Sequence, residues 1–445
     1  MPSHGSSSTS SDSASAAPSA ATPGEPSRGS LLVVFLTVFI DLLGFGLVLP
    51  LLPIYADQFA VDPHGWQLGA LMASFSVMQL IFAPIWGLAS DRIGRRPVLL
   101  IGLAASVVFY SLFGIAASWG SLALIFVSRI GAGIAGATIP TAQAYIADCT
   151  PPEKRARGMA LIGMAFGMGF TFGPLLGLVA VLFGGDDPGP WPGYVAAALS
   201  AAALVLGWLK LPESLHARSA TAVRSHFAPS QLRAAARERS IPLLLLAIFV
   251  CVFSFANFET TLSLLLKGTE DVGDTPFRFG WNEMFLTFAF IGFVLALIQG
   301  GIVRPLSKRI PEVHMATAGA LLEVVGFSLV TVAVSRASTP LLFLTLLFVV
   351  TGFACMQPSL NSLLSRRTSP ERQGAVLGVG QSVNALARIV GSGLGIPLLK
   401  ADLTAPYWTA AALMLVGAVL VLVAVRTGKD YGASETGSGN GTSPA

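Results

Sequence analysis

Residues 87–96 read Gly87-Leu88-Ala89-Ser90-Asp91-Arg92-Ile93-Gly94-Arg95-Arg96, a polar turn set between two long apolar blocks at 66–90 and 97–117. Each block reaches about 20 residues, the length an α-helix needs to cross the hydrocarbon core. A turn this short joins two antiparallel spans at the membrane surface. Gly87 is expected to let a neighbouring helix approach closely, and Asp91 to end its helix where a carboxylate meets the N-terminus of another. Arg92, Arg95 and Arg96 obey the rule that basic residues face the cytoplasm, and Arg95 and Arg96 can pair with surface acids. That rule does not explain Gly87, Asp91 and Gly94 at these spacings, so the turn is expected to be a gating contact. Asp148, at the end of the fourth apolar block, is the acid expected opposite the arginines.

Outward from this turn the same pattern repeats. Of 445 residues, 53% are hydrophobic and 11% charged, against about a quarter charged in soluble domains. A water-soluble globule is therefore excluded. Twelve apolar blocks fall at 31–55, 66–90, 97–117, 120–147, 157–183, 192–211, 241–266, 281–303, 313–334, 339–365, 373–399 and 405–426. The expected fold is an all-α membrane protein of twelve transmembrane helices. Net charge is +4, but the basic residues lie in short loops between blocks rather than on one patch, which excludes nucleic acid as a partner. Arg28, the arginines of the first turn, Lys154, Arg155, Arg157, the run from Lys210 to Arg239, Arg304, Lys308, Arg309, Arg366, Arg367, Arg372, Arg426 and Lys429 all fall on one side. Lys267, Arg278, Arg336 and Lys400 fall on the other, so both termini are expected in the cytoplasm.

The longest internal polar segment, 212–240, follows the sixth block and divides the chain into 31–211 and 241–426, with disordered cytoplasmic tails at 1–30 and 427–445. Pro140, Gln143, Pro152 and Glu153 recur as Pro358, Asn361, Pro370 and Glu371, which predicts two pseudo-symmetric six-helix bundles. The first turn has a degenerate echo at Gly300 to Arg309, where Arg304 stands in the place of Asp91. The three cysteines follow no metal-ligand spacing, the five histidines sit in tails, loops or at a span edge, and no metal site is expected. Gly131-Ala-Gly133-Ile-Ala-Gly136 matches a dinucleotide pattern but lies inside an apolar span, where it reads as a packing face. Asn440-Gly441-Thr442 is an acceptor for glycosylation only in form, since it falls in the cytoplasmic tail.

With these residues in hand, the turn Gly87 to Arg96 resembles the signature loop of the major facilitator superfamily. Asp41-Leu-Leu-Gly44-Phe-Gly46 with Pro50 and Pro53 resembles the first-helix motif of its drug:proton antiporters, in particular tetracycline-resistance-type efflux proteins. Gly169-x-x-x-Gly173-Pro174-x-x-Gly177 resembles their fifth-helix antiporter motif, with Leu178 where a second glycine is usual. Arg129 with Gly133 and Gly136 resembles their fourth-helix motif. The resemblance implies the major facilitator fold, alternating access by two rocking halves, and no cofactor beyond a proton gradient. Gly102 to Ala117 lacks the acid that tetracycline exporters usually carry in the third span, which argues against tetracycline itself as cargo.

Five ionisable residues lie inside the blocks: Asp41, Arg129, Glu259, Glu323 and Arg388. Each costs about 2.5–3.5 kcal/mol at a helix centre on insertion scales, so each must face protein or water. Asp41 and Glu259, read as isolated carboxylates, are expected to couple to protons, with Glu323 balanced between coupling and static packing. Arg129 stays charged and is expected to hold or tune a carboxylate, static pairing with Asp41 being the alternative to proton coupling. Gln143, Phe255, Asn257, Phe258, Gln357, Asn361, Gln381, Asn384 and Arg388 share helix faces and are expected to line a mostly apolar substrate cavity. Interhelical hydrogen bonding explains the amides equally well. The expected function is a monomeric, proton-coupled exporter of lipophilic small molecules, cations among them, in a bilayer such as a bacterial inner membrane. A metabolite-importing symporter and a non-transporting receptor or scaffold are the alternatives. An intramembrane enzyme is disfavoured, because no paired carboxylates or nucleophile–base constellation stands at a suitable spacing.

Overall fold

The computed structural model describes residues 28–57, 64–150, 155–184, 189–214, 240–268, 275–306, 309–368 and 373–427. Nearly all of both tails (1–27 and 428–445), most of the 212–240 segment, and Pro152, Glu153, Pro370 and Glu371 of the internal repeat lie outside the described residues, while 28–30 and Thr427 belong to the first and last helices rather than to the tails. Among the described residues eleven helices are long and apolar enough to cross a membrane, and Gly167–Ala180 adds a shorter apolar stretch. These helices expose Leu, Ile, Val and Trp side chains outward, as a lipid-facing surface requires.

The first six apolar blocks form helices α1 (Arg28–Val48), α2 (Leu52–Asp57), α3 (Trp66–Ile93), α4 (Arg95–Trp119), α5 (Leu122–Gly136), α6 (Ile139–Asp148), α7 (Arg155–Gly184) and α8 (Trp191–Lys210). Two blocks expected to be continuous are thus broken. Pro50 and Pro53 interrupt the first near Leu49, and the fourth is interrupted at Ala137 and Thr138, just before Pro140. Proline removes a helix hydrogen bond and clashes with the preceding turn, so each break has a local cause. The last six blocks form α9 (Ser240–Lys267), α10 (Trp281–Leu297) continued by a π-helical turn (Ile298–Val303), α11 (Glu312–Ser335), α12 (Thr339–Arg366), α13 (Gln373–Ala401) and α14 (Ala405–Thr427).

The packing repeats between the halves. In the first, α1 lies against α7 and α8, and α4 against α5 and α8; in the second, α9 lies against α13 and α14, and α11 against α12 and α14. The halves meet through α7 on α10 and α3 on α13, two contacts that the same pseudo-twofold relation exchanges. Small residues make this possible, because TM helices gain stability by close backbone approach rather than by hydrophobicity. A Cβ on Gly46 would lie 2.5 Å from the Gly169 carbonyl oxygen, and one on Gly173 would lie 2.7 Å from the Gly46 carbonyl carbon.

The contacts between halves lie on one side of the molecule. There a Cβ on Gly69 would collide with the Gly393 backbone, one on Gly177 with the Phe285 ring, and one on Gly292 would come 2.5 Å from Thr171. Tyr55 meets Trp281 edge-on at 5.8 Å between ring centroids, and Lys267 lies 4.1 Å above the same indole. A single hydrophobic cluster runs across this seam from Leu47, Tyr55 and Phe113 to Trp281, Phe285 and Ile396. On the opposite side, which carries Arg95 and Arg366, Gly87, Gly300 and Gly301 would each accept a Cβ with no atom within 4 Å. The expectation that Gly87 seats a close neighbour is therefore corrected: it faces open space because the two halves are parted at that end.

Replacing Gly173 by Val should lower the melting temperature of the detergent-solubilised protein by an amount matching about 1–3 kcal/mol of overpacking. Gly87→Ala should leave it unchanged. Equal melting shifts for the two would contradict this packing.

Candidate functional site

Two groups of polar residues emerge, one at the open, basic end and one within the membrane. At the basic end, Gly94 turns the chain between α3 and α4 with φ 105°, a conformation that only glycine adopts cheaply. The absent side chain also makes room for the Glu213 carboxylate. Glu213 accepts hydrogen bonds from the backbone N–H groups of Arg95 at 2.9 Å and Arg96 at 3.2 Å, capping the exposed start of α4. Arg95 then turns inward. Its Nη1 pairs with Asp91 Oδ1 at 2.6 Å and donates to Ser90 Oγ at 2.6 Å, and its Nε reaches Asp148 Oδ2 at 3.2 Å.

Of the other arginines, Arg96 was expected to pair with an acid and instead donates from Nη2 to the Trp208 carbonyl at 2.7 Å. Arg92 is exposed. Glu213 and Ser214, which donates to Asp148 at 3.4 Å, are absent from the sequence reading, and Ser90 carries no role in it. The one signal for Glu213 is an acid directly after the sixth span, and nothing in the order of residues links it to Gly94, 119 positions earlier.

The second half carries a counterpart of opposite polarity. Glu312, at the first residue of α11, accepts from Arg366 Nη1 at 2.8 and 2.9 Å and from Ser362 Oγ at 3.2 Å. Arg366 stands where the internal repeat puts Asp148, so the acid and the base have exchanged helices. In the echo of the first turn, Lys308 and the Arg304 side chain lie outside the described residues, and the glycines occupy the π-helical turn.

Within the membrane, Asp41 accepts from Ser200 Oγ at 3.1 Å and also faces Ser106. It forms no ion pair with Arg129, so the static pairing weighed as the alternative to proton coupling is not formed. Arg129 is 2% exposed, its guanidinium carbon sits 4.7 Å from the centroid of the Phe75 ring, and its Nε is buried without a hydrogen-bond partner. Glu259, expected to be isolated, pairs with Arg388 at 2.7 Å, the two side chains being 14% and 33% exposed. The sequence could not show this, because the partners are 129 positions apart.

Among the described carboxylates within the spans, Glu323 stands alone: it is 0% exposed and neither oxygen has a hydrogen-bond partner. Gly319 and Gly352 let α11 and α12 close around it.

The expected cavity divides. Asn257 and Phe258 turn into the second half, Asn257 donating to the Pro406 carbonyl at 3.2 Å and Phe258 packing on Phe327 and Tyr407. They belong to helix packing rather than to a cavity wall, because α14 covers that face of α9. Phe255 stacks on Phe353 at 3.8 Å, and Gln357 donates to Asn384 at 3.2 Å. Gln143, Asn361, Asn384 and Arg388 are half-buried and Gln381 is exposed. Gly169 and Gly173 of the fifth-span motif rest on α1, whereas Gly177 rests on Phe285 of the other half. With Pro174 between them, the motif joins packing inside one half to the seam between halves.

This geometry accords with three comparisons. A family model of the Major Facilitator Superfamily matches residues 34–392, and again 244–444. The tetracycline resistance protein, class C, of Escherichia coli is 31% identical over 402 residues, covering 89% of this chain and 96% of that protein. Human major facilitator superfamily domain-containing protein 10 is 32% identical over 434 residues, covering 87% and 89%. The crystal structure of the human organic anion transporter MFSD10 (TETRAN) superimposes with a TM-score of 0.65 at 30% identity, covering 90% of this chain and all of that one.

Glu213→Ala should cost about 1 kcal/mol through the lost cap, and Arg95→Gln about 1–3 kcal/mol through the polar groups left unpaired. Arg92→Gln should stay within about 0.5 kcal/mol. Thermal unfolding of the three purified variants checks this order, and an Arg92→Gln loss equal to that of Arg95→Gln would contradict it.

Proposed function

The chain belongs to the major facilitator superfamily, and from that premise we propose that it is a proton-coupled antiporter expelling lipophilic or amphipathic small molecules by alternating access. The observation that carries this reading is a pair of membrane carboxylates without a counter-cation, Asp41 in the first half and Glu323 in the second. A carboxylate held in apolar surroundings is costly to keep charged, so it suits a role that takes up and releases a proton during each cycle. Glu259 is set apart from this role by its ion pair with Arg388.

The halves 31–211 and 241–426 rock as units joined by the 212–240 segment, with the basic ends and both tails in the cytoplasm. One-sided sealing supports an inward-facing state: the seam at Gly69, Gly177 and Trp281 is closed, while Gly87, Gly300 and Gly301 await a neighbour. When the basic side closes, the Asp91–Arg95–Asp148 group latches it. Protons and a small-molecule cargo are the only partners this cycle needs, no cofactor enters it, and a monomer in a bacterial inner membrane suffices. Tetracycline resistance and organic anion transport, named for two relatives, fall within this cargo class.

Purified protein in liposomes under an imposed pH gradient should release protons when amphipathic compounds are added. Asp41→Asn should abolish that flux while counterflow of the compound persists. Flux of protons and compound in the same direction would replace antiport by symport. A short reducible bis-thiol cross-linker between Tyr55→Cys and Trp281→Cys, whose rings meet across the seam at 5.8 Å between centroids, should stop transport until it is reduced. Unimpaired transport by the fully cross-linked protein would exclude a rocking seam.

A further inference from the structure

The acids Asp41 and Glu323 occupy one place in the internal repeat, although they stand on different spans. Arg95 opens α4 and Glu312 opens α11, and equally far along these helices stand Ser106 and Glu323. The same shift along the chain carries Ser200 of α8 to Gly417 of α14. Asp41 precedes Gly46, which rests on Gly173, by as many residues as Cys251 precedes Ala256, which rests on Gly391. Gly391 is itself the repeat of Gly173, by the shift that carries Pro140 to Pro358.

The contacts agree with this alignment. Asp41 accepts from Ser200 and faces Ser106. Cys251 faces Glu323, and a Cβ on Gly417 would lie 2.8 Å from the Cys251 Sγ. One three-helix site therefore occurs twice, as parallel repeats require. The first half builds it from Asp41, Ser106 and Ser200, the second from Cys251, Glu323 and Gly417. The acid has passed from the first span of its half to the third. None of these three residues of the second half belongs to a motif through which the chain resembles the antiporters.

That move changes the surroundings of the acid. Asp41 is half-buried beside a hydroxyl donor, whereas Glu323 is sealed and both its oxygens lack a hydrogen-bond partner. Its stem rests on α12, where a Cβ on Gly352 would come 2.6 Å from Glu323 Cγ. Among the described residues, Cys251 is the titratable group that faces it. At this level α12 presents Gly352 and α14 presents Gly417. The Glu312–Arg366 pair lies about 16 Å away along α11, at one membrane surface, and Tyr407 stands near the start of α14 at the other. A carboxyl that only braced helices would be given donors, because a buried polar group left unpaired destabilises more than an apolar side chain in its place.

We propose that Glu323, with Cys251 and Gly352, is a second proton-binding site, the structural repeat of the Asp41 site, which acts by parting α11 from α12 rather than by competing with cargo. This inference rests on the proton-coupled reading above and deepens it. With its proton, Glu323 is a neutral acid that α12 can lie against. Once the proton passes to water, the carboxylate needs a donor or a water molecule beside it, and the close Gly319–Gly352 contact admits neither until the helices separate. α12 also carries Gln357 and Arg366, so its movement reaches both Asn384 of α13 and the basic end.

The test needs no cargo. Infrared difference spectra of the full-length protein in liposomes, recorded as the pH is stepped, report the C=O stretch of each carboxylic acid that gains or loses a proton. One component of the wild-type spectrum should vanish in Asp41→Asn and a distinct one in Glu323→Gln. Glu323→Asp, which keeps the acid and guards against a folding defect, should retain the second component. Cys251→Asp combined with Glu323→Ser, which rebuilds the arrangement of the first half, should restore it, and its absence from that variant in folded form contradicts the repeat. Glutamine matches the protonated acid in size and neutrality, so a purely structural Glu323 would leave the pH-dependent spectrum unchanged in Glu323→Gln, and that result overturns the site. Spin labels at the exposed positions Leu321 and Leu347, with Cys149 and Cys355 replaced by alanine, should move apart by about 1–2 Å as the Glu323 component titrates. They should hold one distance in Glu323→Gln, and a fixed distance in wild type refutes the coupling through α11 and α12. A titrating Asp41 beside a silent Glu323 sinks only the second site, whereas silence of both would sink proton coupling with it.

Discussion

The cost of an unsatisfied polar group in hydrocarbon governs this molecule. Backbone amides meet that cost by forming helices throughout the spans, and hydroxyl side chains meet it by donating to carbonyls one turn back, as Ser254, Thr261 and Ser359 do. Charged side chains cannot be satisfied so locally. They are few, and each is either paired across helices, as in Glu259 with Arg388, or left as an exception that demands a function. Asp41, Arg129 and Glu323 are those exceptions, and they lie on three different helices in two different halves.

The second governing feature is the approximate twofold relation between the halves. It explains why α7 on α10 and α3 on α13 form one seam twice over, and why the glycines that permit close approach recur on both sides of it. The relation is not kept by the charges. Arg95 at the start of α4 pairs with Asp148 at the end of α6, whereas Glu312 at the start of α11 pairs with Arg366 at the end of α12. Across a twofold axis, identical pairs would set like charges against one another as the halves approach. Exchanging acid and base between the halves avoids that repulsion, so the divergence of the repeat is electrostatically consistent with their meeting on the basic side.

Helix number, the two-half repeat and the basic turn at 87–96 were legible in the sequence because each depends on local composition. The length of an apolar block measures the membrane, and a Gly-Pro core inside a span marks a packing face whatever lies opposite. The first and fourth spans were read as unbroken, although Pro50, Pro53 and Pro140 signalled the interruptions. Pairings were much less legible. Arg95 with Asp148 was expected, since both end their helices at the same membrane surface. Glu213 on α4, Arg388 on Glu259 and Phe258 on Phe327 were not, because rotation of a helix about its axis decides which residues meet, and an apolar span without a strong polar face leaves that rotation open.

The sequence by itself therefore determined that the chain crosses a membrane in two related groups of helices, because hydropathy and small-residue spacing act through neighbours along the chain. Which of its rare charges are neutralised and which stand alone was decided only by tertiary structure. Glu259 was read as isolated and Arg388 as lining a cavity, whereas Arg129 was read as holding a carboxylate. The difference arises where helices more than a hundred residues apart bring a second charge within hydrogen-bonding reach, or bring only an aromatic ring or a glycine. That placement gives Glu259 a charged partner and leaves Asp41, Arg129 and Glu323 without one among the described residues.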